Sequence, residues 1–380
     1  MSRAKKTKGA KVSEPICCDS DLLFPSHPSP SSRDILEMKT ELLPTHTKAL
    51  FTAAVQHAAG LLRAGQVVAL PTETVYGLAA NALNADAIAK IYEIKGRPAH
   101  NPIIIHVADM EMAQRCVAHW PAAAAQLARS FWPGPLTMVL PRAKNIPDIV
   151  TAGGETVGVR WPSHPFIQAV IRECGFPLAA PSANPSNEIS PTNASHVARK
   201  LTGKIPLVVD GGQSQVGIES TVVDLTENPP RVLRPGMINE ESLLAVLGNL
   251  KSQTPDLKSA ALRSPGLLAK HYSPKAKLLI LDWKDDADLR SQICNPQSAI
   301  RNCHIIAHTR IPSNVGFASL SVIPHDAEAF ARALYSELHR CDDAGAELII
   351  VEALPDAPEW RAIADRLLRA AADDRKPTNR

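Results

Sequence analysis

An apolar run passes directly into a polar one in the stretch Gln66-Val67-Val68-Ala69-Leu70-Pro71-Thr72-Glu73-Thr74-Val75-Tyr76-Gly77-Leu78. Its first half is apolar, which predicts a strand over Gln66–Pro71. Its second half begins with a polar run, and in α/β folds the loops that follow strands are where ligands bind. A turn capped by threonine hydroxyl groups explains the same residues without a ligand. The stretch therefore predicts an α/β sheet and leaves both interpretations of the loop open.

Helices and strands alternate on both sides of this stretch. An Ala-rich helix is predicted over Phe51–Arg63 and another over Asn84–Lys95. Apolar, β-rich runs recur at Pro102–Val107, Leu136–Pro141, Val157–Trp161, Leu178–Ala180, Pro206–Val209 and Thr221–Leu225. Many short strands with intervening helices predict a mixed, twisted α/β sheet.

The second half of the chain predicts a smaller domain after a linker. From about Asn249 to Pro274 the alternation is lost and prolines accumulate. Four further strands are predicted at Lys277–Asp282, His304–His308, Leu320–Ile323 and Leu348–Glu352. A helix whose apolar face includes Phe330 and Leu334 lies between the last two, and another starts near Ala357. This alternation predicts a mostly parallel, Rossmann-like α/β domain.

The first 45 or so residues combine five prolines and several serines with no sustained period. They predict a disordered N-terminal extension over residues 1–45. A transit peptide would also be basic and Ser-rich, but Glu14, Asp19 and Asp21 argue against one. Another interpretation is that translation starts at Met38. The remaining boundaries are predicted as 50–240 for the first folded domain, 241–275 for a linker or lid and 276–375 for the C-terminal domain.

Composition excludes several classes of protein. The 380 residues are 45% hydrophobic and 21% charged, with no apolar run of about 18 residues that could cross a bilayer. The formal net charge is only +3, and a basic cluster near the N-terminus accounts for it, which argues against a protein that coats nucleic acid. The seven cysteines are scattered and form no C-x-x-C pair, which predicts a reducing, cytoplasmic location and no structural zinc.

A cationic cluster, Lys95-Gly96-Arg97-Pro98-Ala99-His100-Asn101-Pro102, ends the second predicted helix. One interpretation is a helix stop, with Gly96 in the C′ position and Pro98 after it. The other is a triphosphate clamp, with Lys95 as a point charge and Arg97 as a fork for phosphate oxygens. A helix C-terminus repels anions, so side chains would have to hold them. No G-x-x-x-x-G-K-[ST] motif is present, so a P-loop is excluded.

Two later polar segments could also bind a ligand. Ala180-Pro181-Ser182-Ala183-Asn184-Pro185-Ser186, with Ser190-Pro191-Thr192 after it, forms a stiff polar ledge or an ordinary turn. Val208–Gln213, continued by Gly217-Ile218-Glu219-Ser220-Thr221, is either a ligand loop or a plain hairpin. Arg160, Arg231 and Arg234 add cations at the ends of nearby runs.

Together these segments resemble the YrdC domain of the SUA/YciO/YrdC family, from about Leu61 to Gly236. Lys95, Arg97, Ser182 and Asn184 have the family's K-x-R…S-x-N form. The motif Ser264-Pro265-Gly266…Lys270-His271-Tyr272-Ser273-Pro274 and the domain after it resemble the two-domain form of the family. The resemblance covers nearly everything after the N-terminal extension.

The resemblance implies a nucleotidyltransferase that makes threonylcarbamoyl-AMP and pyrophosphate from ATP, L-threonine and bicarbonate. The product would serve N6-threonylcarbamoyladenosine at position 37 of tRNAs that read ANN codons. The residues implied to contact ATP are Arg97, Asn101, Thr156, Ser182, Ser190, Arg234 and Tyr272. The residues implied around threonine are Thr74, His106, Arg160, Ala180 and Ser220. The tetrad Lys95, Arg97, Ser182 and Asn184 is implied to be catalytic, with Lys95 and Asn184 bordering the triphosphate.

The resemblance also implies a cofactor and partners. Mg²⁺ is expected with the ATP phosphates, with no metal ligands from the protein. The product would pass to a tRNA threonylcarbamoyl-transferase complex, and neither tRNA nor a membrane is expected to be bound directly. We expect Lys270-His271-Tyr272 to fold over the nucleotide as a lid. His106 lies where a proton acceptor for the threonine amine would be, but a core histidine is the alternative and the role stays unassigned.

Three other functions are alternatives to the one that the resemblance implies. An RNA-binding module without adenylation activity is disfavoured by the near-neutral folded region and by Arg160. Carbamoyl transfer in hydrogenase maturation would bring C-x-x-C pairs and an acylphosphatase module, and neither is visible in the sequence. A separate ligand site in the C-terminal domain is disfavoured because that domain has no Gly-rich phosphate fingerprint, so a supporting role is expected.

Overall fold

The computed structural model describes residues 39–251, 265, 271–293, 302–313 and 316–372. Most of the predicted N-terminal extension, residues 1–38, lies outside the described residues. So do the linker residues Ser264, Gly266 and Lys270 and the last part of the predicted C-terminal domain, residues 373–375.

A ten-stranded mixed sheet forms the first part of the molecule, in the order β1-β8-β2-β3-β7-β4-β6-β5-β9-β10. Its strands are β1 Glu41–Pro44, β2 Val68–Leu70, β3 Gly77–Asn81, β4 Ile105–His106, β5 Leu136–Pro141, β6 Thr156–Arg160, β7 Leu178–Ala179, β8 Leu207–Asp210, β9 Thr221–Asp224 and β10 Arg231–Arg234. Parallel and antiparallel pairs both occur, and the α/β architecture predicted from the sequence is confirmed.

Seven helices among the described residues accompany this sheet. They are α1 Lys48–Arg63, α2 Ala85–Lys95, α3 Met110–Arg115, α4 Ala122–Phe131, α5 Pro165–Cys174, α6 Ala194–Leu201 and α7 Glu240–Leu247. The ends of α2 agree with the sequence: the Asn84 side chain accepts hydrogen bonds from two backbone amides, and Gly96 adopts a left-handed conformation with φ of 58°. The helix stop predicted at Gly96 is therefore present whether or not a ligand binds there.

The expectation of disorder through residue 45 is wrong at its C-terminal end. Residues Glu41–Pro44 form the edge strand β1, which pairs in parallel with Leu207–Asp210. The hydroxyl groups of Thr40 and Thr45 donate to the carbonyl oxygens of Ile205 and Asp210, at 2.6 and 2.8 Å. A partner about 165 residues away supplies these bonds, so no local pattern signalled the strand.

Other elements differ from the sequence-based prediction in extent. The predicted strand Pro102–Val107 is regular only at Ile105–His106. Strands β3 and β10 were not predicted, because the first follows a polar run and the second has arginine at both ends. Helix α7 lies at the start of the segment that was expected to be a linker.

The four-stranded sheet of the C-terminal part is entirely parallel, as predicted, with the order β11-β14-β12-β13. Its elements are β11 Lys277–Leu281, α8 Asp286–Gln292, β12 Cys303–Ala307, β13 Ser319–Val322, α9 Ala327–Asp343, β14 Leu348–Glu352, a short 3-10 helix Pro358–Trp360 and α10 Arg361–Ala371. No helix in the described ranges combines the length and apolarity that a membrane span requires.

One apolar cluster joins the two sheets. Val75, Ile189 and Ile218 from loops of the first part pack with Phe330 and Leu334 of α9. The packing of α9 and α10 against these loops brings the C-terminal part of the chain next to the strand-end segments that the sequence singled out.

Candidate functional site

A pocket opens where the strand-end loops of the large sheet meet the segment at residues 271–272. Nine of the residues predicted for the site line this pocket: Thr74, Arg97, His106, Arg160, Ala180, Ser182, Ser220, Arg234 and Tyr272. They come from segments almost 200 positions apart in sequence. The structure therefore brings together the loops whose individual interpretation the sequence left open.

Arg160 stands at one end of the pocket, held by three neighbours. Its Nη2 atom lies 2.7 Å from Glu73 Oε1, its Nη1 donates to Thr74 Oγ1 at 2.9 Å, and its Nε donates to the carbonyl of Gly134 at 3.3 Å. Glu73 and Arg160 are both buried. Burial opposes ionisation of Glu73, but the charge of Arg160 and its hydrogen bonds hold the pKa of this carboxyl below its usual value.

The sequence motif contains Glu73, but no role was predicted for this residue. The sequence contained a sign of this role, because Glu73 is an acidic residue between two threonines in a loop that was expected to lie near Arg160. A buried arginine needs such an acidic partner. Because Glu73 also accepts a hydrogen bond from the Ser163 backbone amide at 3.0 Å, it anchors Arg160 to the loop that precedes α5. A guanidinium fixed in this way is preorganised to bind a small anion.

Arg234 and Ser220 meet at the other side of the pocket. Arg234 donates from Nε and Nη2 to the Ser220 carbonyl, at 3.1 and 3.0 Å, and from Nη2 to Ser220 Oγ at 3.1 Å. The Ser220 hydroxyl is also 2.8 Å from Thr137 Oγ1 of β5. The position of Ser220 is thus set by both a central strand and a pocket arginine.

Arg97 is held by the loop that follows α2. Its Nε donates to the Asn101 carbonyl at 2.9 Å, and its Nη2 donates to Asn101 Oδ1 at 2.8 Å and to the Pro102 carbonyl at 2.6 Å. Burial lowers the pKa of Arg97 to about 10, and Arg234 is one of the charges that act on it. Asn101 is itself absent from the pocket lining and acts on the pocket through Arg97.

Lys95 does not line the pocket, although it was predicted as a phosphate-binding point charge. Its Nζ donates to the Ser182 carbonyl at 2.6 Å and to the Asn184 carbonyl, and Asn184 Oδ1 is 3.4 Å away. Burial, and then the charge of Arg97, hold the pKa of Lys95 well below its usual value. In this structure Lys95 fixes the loop that carries Ser182, and direct contact with phosphate stays a prediction.

Three further predicted residues, Asn184, Ser190 and Thr156, do not line the pocket. Asn184 donates from Nδ2 to the Glu188 carbonyl at 2.8 Å, and Ser190 donates from Oγ to Glu219 Oε1 at 2.6 Å. Thr156 begins β6, at the opposite end of the strand from Arg160, and lines no part of the pocket. Its role as an ATP contact stays a prediction.

Tyr272 covers the pocket from the segment that was expected to act as a lid. Its side chain is buried, its backbone has a φ of 61°, and its ring stacks on Tyr335 at a centroid distance of 5.9 Å. The neighbouring His271 also lines the pocket. Lys270, the first residue of the predicted lid motif, lies outside the described residues.

Several buried polar atoms around the pocket have no hydrogen-bond partner among the described residues. They include Glu73 Oε2, His106 Nδ1, His271 Nδ1 and Tyr272 OH. Unpaired buried polar atoms are rare in folded proteins, because each loses its hydration without compensation. Four of them around one cavity indicate a site that a polar ligand completes.

A cluster of backbone amides lies at the carboxyl end of the C-terminal sheet. After β12, the backbone amides of His308, Thr309 and Arg310 point to one place, as they would around a bound anion. The carboxylate of Glu352 occupies that place and accepts from all three, at 2.7 to 3.0 Å. This carboxylate holds the loop after β12, and the supporting role expected for this domain stays a prediction.

Two family models match the chain. Residues 60–236 match the Sua5–YciO–YrdC model, which carries the description telomere recombination. Residues 238–372 match the model described as threonylcarbamoyl-AMP synthase, C-terminal domain. The threonylcarbamoyl-AMP synthase of Bacillus subtilis is 41% identical over 325 residues, which span 83% of this chain and 92% of that protein. This chain belongs to the Sua5–YciO–YrdC family.

A second member of the Sua5–YciO–YrdC family, the threonylcarbamoyl-AMP synthase of Pyrococcus abyssi, is 38% identical over 83% of this chain and 94% of its own length. A crystal structure of Sua5 from the same organism, complexed with L-threonine, has a TM-score of 0.80 and 35% identity to this chain. That likeness covers 87% of this chain and 97% of the crystallised one. The two-domain form of the family inferred from the linker motif is therefore confirmed.

Proposed function

We propose that this protein is an L-threonylcarbamoyladenylate synthase, a nucleotidyltransferase that joins ATP, L-threonine and bicarbonate and releases pyrophosphate. The product supplies the threonylcarbamoyl group of N6-threonylcarbamoyladenosine in tRNA. Relatives named threonylcarbamoyl-AMP synthase over nearly the full length of both domains support this assignment. The structural observation that carries it is the convergence of Arg97, Arg160 and Arg234 on one buried pocket.

The three arginines divide the pocket into two binding regions. Arg160, with Thr74 and His106, forms a threonine region in which the guanidinium binds the carboxylate of the amino acid. Arg97 and Arg234, with Ser182 and Tyr272, form a nucleotide region in which the cations oppose the phosphate charge. Ser220, which the family resemblance places near threonine, lines the same pocket and is bonded to Arg234.

The reaction needs no covalent enzyme intermediate. The uncharged amine of threonine adds to bicarbonate-derived CO2 and loses a proton, which gives a carbamate. A carbamate oxygen attacks the α-phosphorus, the bond to the bridging oxygen breaks, and pyrophosphate leaves. Arg97 and Arg234 stabilise the charge that builds on the phosphate oxygens. Burial of the pocket protects the carbamate and the mixed anhydride from water.

His106 is a poor base for the amine. Burial, and then the charge of Arg160, lower the pKa of its imidazole to about 3, so at neutral pH it is uncharged and only weakly basic. A neutral imidazole with a free Nδ1 is suited to a hydrogen bond with the bound amino acid. We therefore assign His106 to orientation of threonine and not to proton removal.

Magnesium fits this pocket only as part of the nucleotide. The two pocket-side carboxylates, Glu73 and Glu219, are paired with Arg160 and Arg366. The described residues contain no group of three or more His, Cys, Asp and Glu side chains able to hold a metal ion. We propose that Mg²⁺ enters on the ATP phosphates, and that no tRNA is bound before the product passes to a threonylcarbamoyl-transferase complex.

The test is pyrophosphate release from the full chain with ATP, L-threonine and bicarbonate, and with each omitted in turn. We expect release only when all three are present, and the appearance of threonylcarbamoyl-AMP in equal amount. Release with carbamoyl phosphate in place of threonine and bicarbonate would favour carbamoyl transfer. Salt-dependent RNA binding without any pyrophosphate release would favour an RNA-binding module and refute the proposal.

A further inference from the structure

Arg366 is a fully buried arginine on α10, the last helix among the described residues. No motif in the sequence drew attention to it, and it does not line the pocket. Fully buried arginines are rare unless every part of the guanidinium is matched by a partner. The contacts of Arg366 show which segments its side chain holds.

Its donors are committed to three oxygen atoms. Nε donates to Glu219 Oε2 at 2.8 Å, Nη1 donates to Asp365 Oδ2 at 2.6 Å, and Nη2 donates to the Pro235 carbonyl at 3.0 Å. The Cζ atom of the guanidinium lies over the Tyr272 ring, 5.2 Å from the ring centroid. The last helix thus contacts three separate segments at once, at residues 219, 235 and 272.

Each of these contacts leads to the nucleotide region. Tyr272 lines the pocket directly. Glu219 also lines it, and it accepts hydrogen bonds from Ser190 Oγ at 2.6 Å and from Tyr335 OH at 3.0 Å. Pro235 follows Arg234, whose guanidinium faces the pocket.

The threonine region is held differently. Arg160 is fixed by Glu73, Thr74 and Gly134, all of which belong to the large sheet and its loops. Among the described residues, no hydrogen bond or ring contact joins Arg366 to any of these. Arg366 can therefore affect the two regions of the pocket unequally.

A guanidinium is suited to this position because it is planar and carries five donors in fixed directions. A lysine could keep the charge opposite Glu219, but it could not bond Asp365 and Pro235 in the same geometry. Truncation would also leave Glu219 buried beside the pocket without its cation.

We propose that Arg366 is a positioning residue for the nucleotide region, which sets Glu219, Tyr272 and the Arg234–Pro235 loop and so makes the last helix part of the ATP site. This inference rests on the proposed function for the identity of the nucleotide. It does not require turnover, because positioning is visible in binding alone.

The experiment measures binding of a non-hydrolysable ATP analogue and of L-threonine to the full chain. We expect Arg366→Met to raise the Kd of the analogue about 10-fold or more, the effect of a lost charge-assisted contact, and to change the Kd of threonine less than about 2-fold. Arg366→Lys should fall between wild type and Arg366→Met. The matched control is Arg199→Met, which breaks the exposed ion pair with Asp343 of α9 and should leave both constants unchanged.

A readout on the unmodified protein covers the case in which Arg366→Met does not fold. Hydrogen exchange of the α10 amides should slow when the ATP analogue binds and should not change with threonine alone. Equal effects on both ligands, unchanged Kd values in folded variants, or no change in α10 exchange would each overturn the proposal. So would a wild-type protein that binds no nucleotide. A wild type that binds the analogue but releases no pyrophosphate would refute the proposed function. The Kd values of the Arg366 variants would still test the positioning role.

Discussion

Gly217 packs so closely against Ala331 of α9 that a Cβ atom on Gly217 would lie 2.4 Å from the Ala331 carbonyl oxygen. It would also lie 2.5 Å from the Cα of Arg332. Both obstacles are backbone atoms of a helix, which cannot move aside as a flexible side chain could. This contact fixes how near α9 approaches the loop that carries Glu219 and Ser220.

Gly217→Ala should therefore destabilise the protein more than the same change at Gly212. Both glycines have a positive φ, 83° and 82°, so both variants carry a backbone strain of about 1 kcal/mol. Nothing lies within 4 Å of a Cβ at Gly212, so only Gly217→Ala adds a clash, with a further cost of about 1 to 3 kcal/mol. Denaturant titration of the free energy of unfolding checks this. Equal losses in the two variants would contradict the close approach.

The Arg160–Glu73 pair allows stability and substrate binding to be separated. Arg160→Met should cost about 3 to 5 kcal/mol of stability, because it leaves Glu73 charged and buried without a partner. Adding Glu73→Leu should restore most of that loss, since an apolar pair often replaces a buried ion pair with little cost.

Threonine binding should not recover with stability in the Arg160 variants. The double variant still lacks the guanidinium, so the KM for threonine should stay raised by about 10-fold or more. The KM for ATP should change little. Thermal unfolding and steady-state kinetics on the same preparations test this. A double variant with normal threonine kinetics would remove Arg160 from the amino-acid site.

Arg97 and Asn101 should affect the nucleotide in graded fashion. Arg97→Lys keeps a charge but loses the fork that bonds Asn101 and Pro102, so the KM for ATP should rise about 10-fold. Asn101→Ala removes one support of Arg97 and should raise it by a smaller factor, about 3-fold. Initial rates with varied ATP at saturating threonine provide the measurement. A larger effect from Asn101→Ala than from Arg97→Lys would mean that Asn101 contacts ATP itself.

Buried histidines should make the protein lose stability in mild acid. Burial lowers the pKa of His339 to about 4, whereas in the unfolded chain it takes up a proton below pH of about 6.5. Between these values the unfolded state binds the extra proton, so stability falls as the pH falls, by about 1.4 kcal/mol per pH unit for this residue.

His339→Gln should make this pH dependence shallower. Glutamine can still donate a hydrogen bond to the Ser190 carbonyl, which His339 Nε2 approaches at 3.2 Å, but it takes up no proton. Free energies of unfolding at pH 7 and pH 5 give the slope. His119→Gln, at an exposed position, is the control and should keep the wild-type slope. An unchanged slope in His339→Gln would show that this imidazole is protonated in the folded state.

Local features were predictable from the sequence, and long-range ones were not. The cap at Asn84 and the stop at Gly96 depend on residues within one turn of α2, so their pattern was sufficient. Strand β1 depends on pairing with β8, and a short segment carries no sign of so distant a partner. The same reason explains why Arg366 was overlooked, since its main partner, Glu219, is 147 positions away.

Periodicity and spaced motifs were sufficient to predict the two α/β units, the family and the set of loops that form the pocket, because both are visible along the chain. The partners of the buried cations became visible only in the folded structure. Lys95 is bonded to loop carbonyls, Arg160 is held by Glu73, and the C-terminal helix reaches the nucleotide region through Arg366. Which partner a buried charge finds depends on packing between distant segments, because burial makes an unpaired charge too costly to keep.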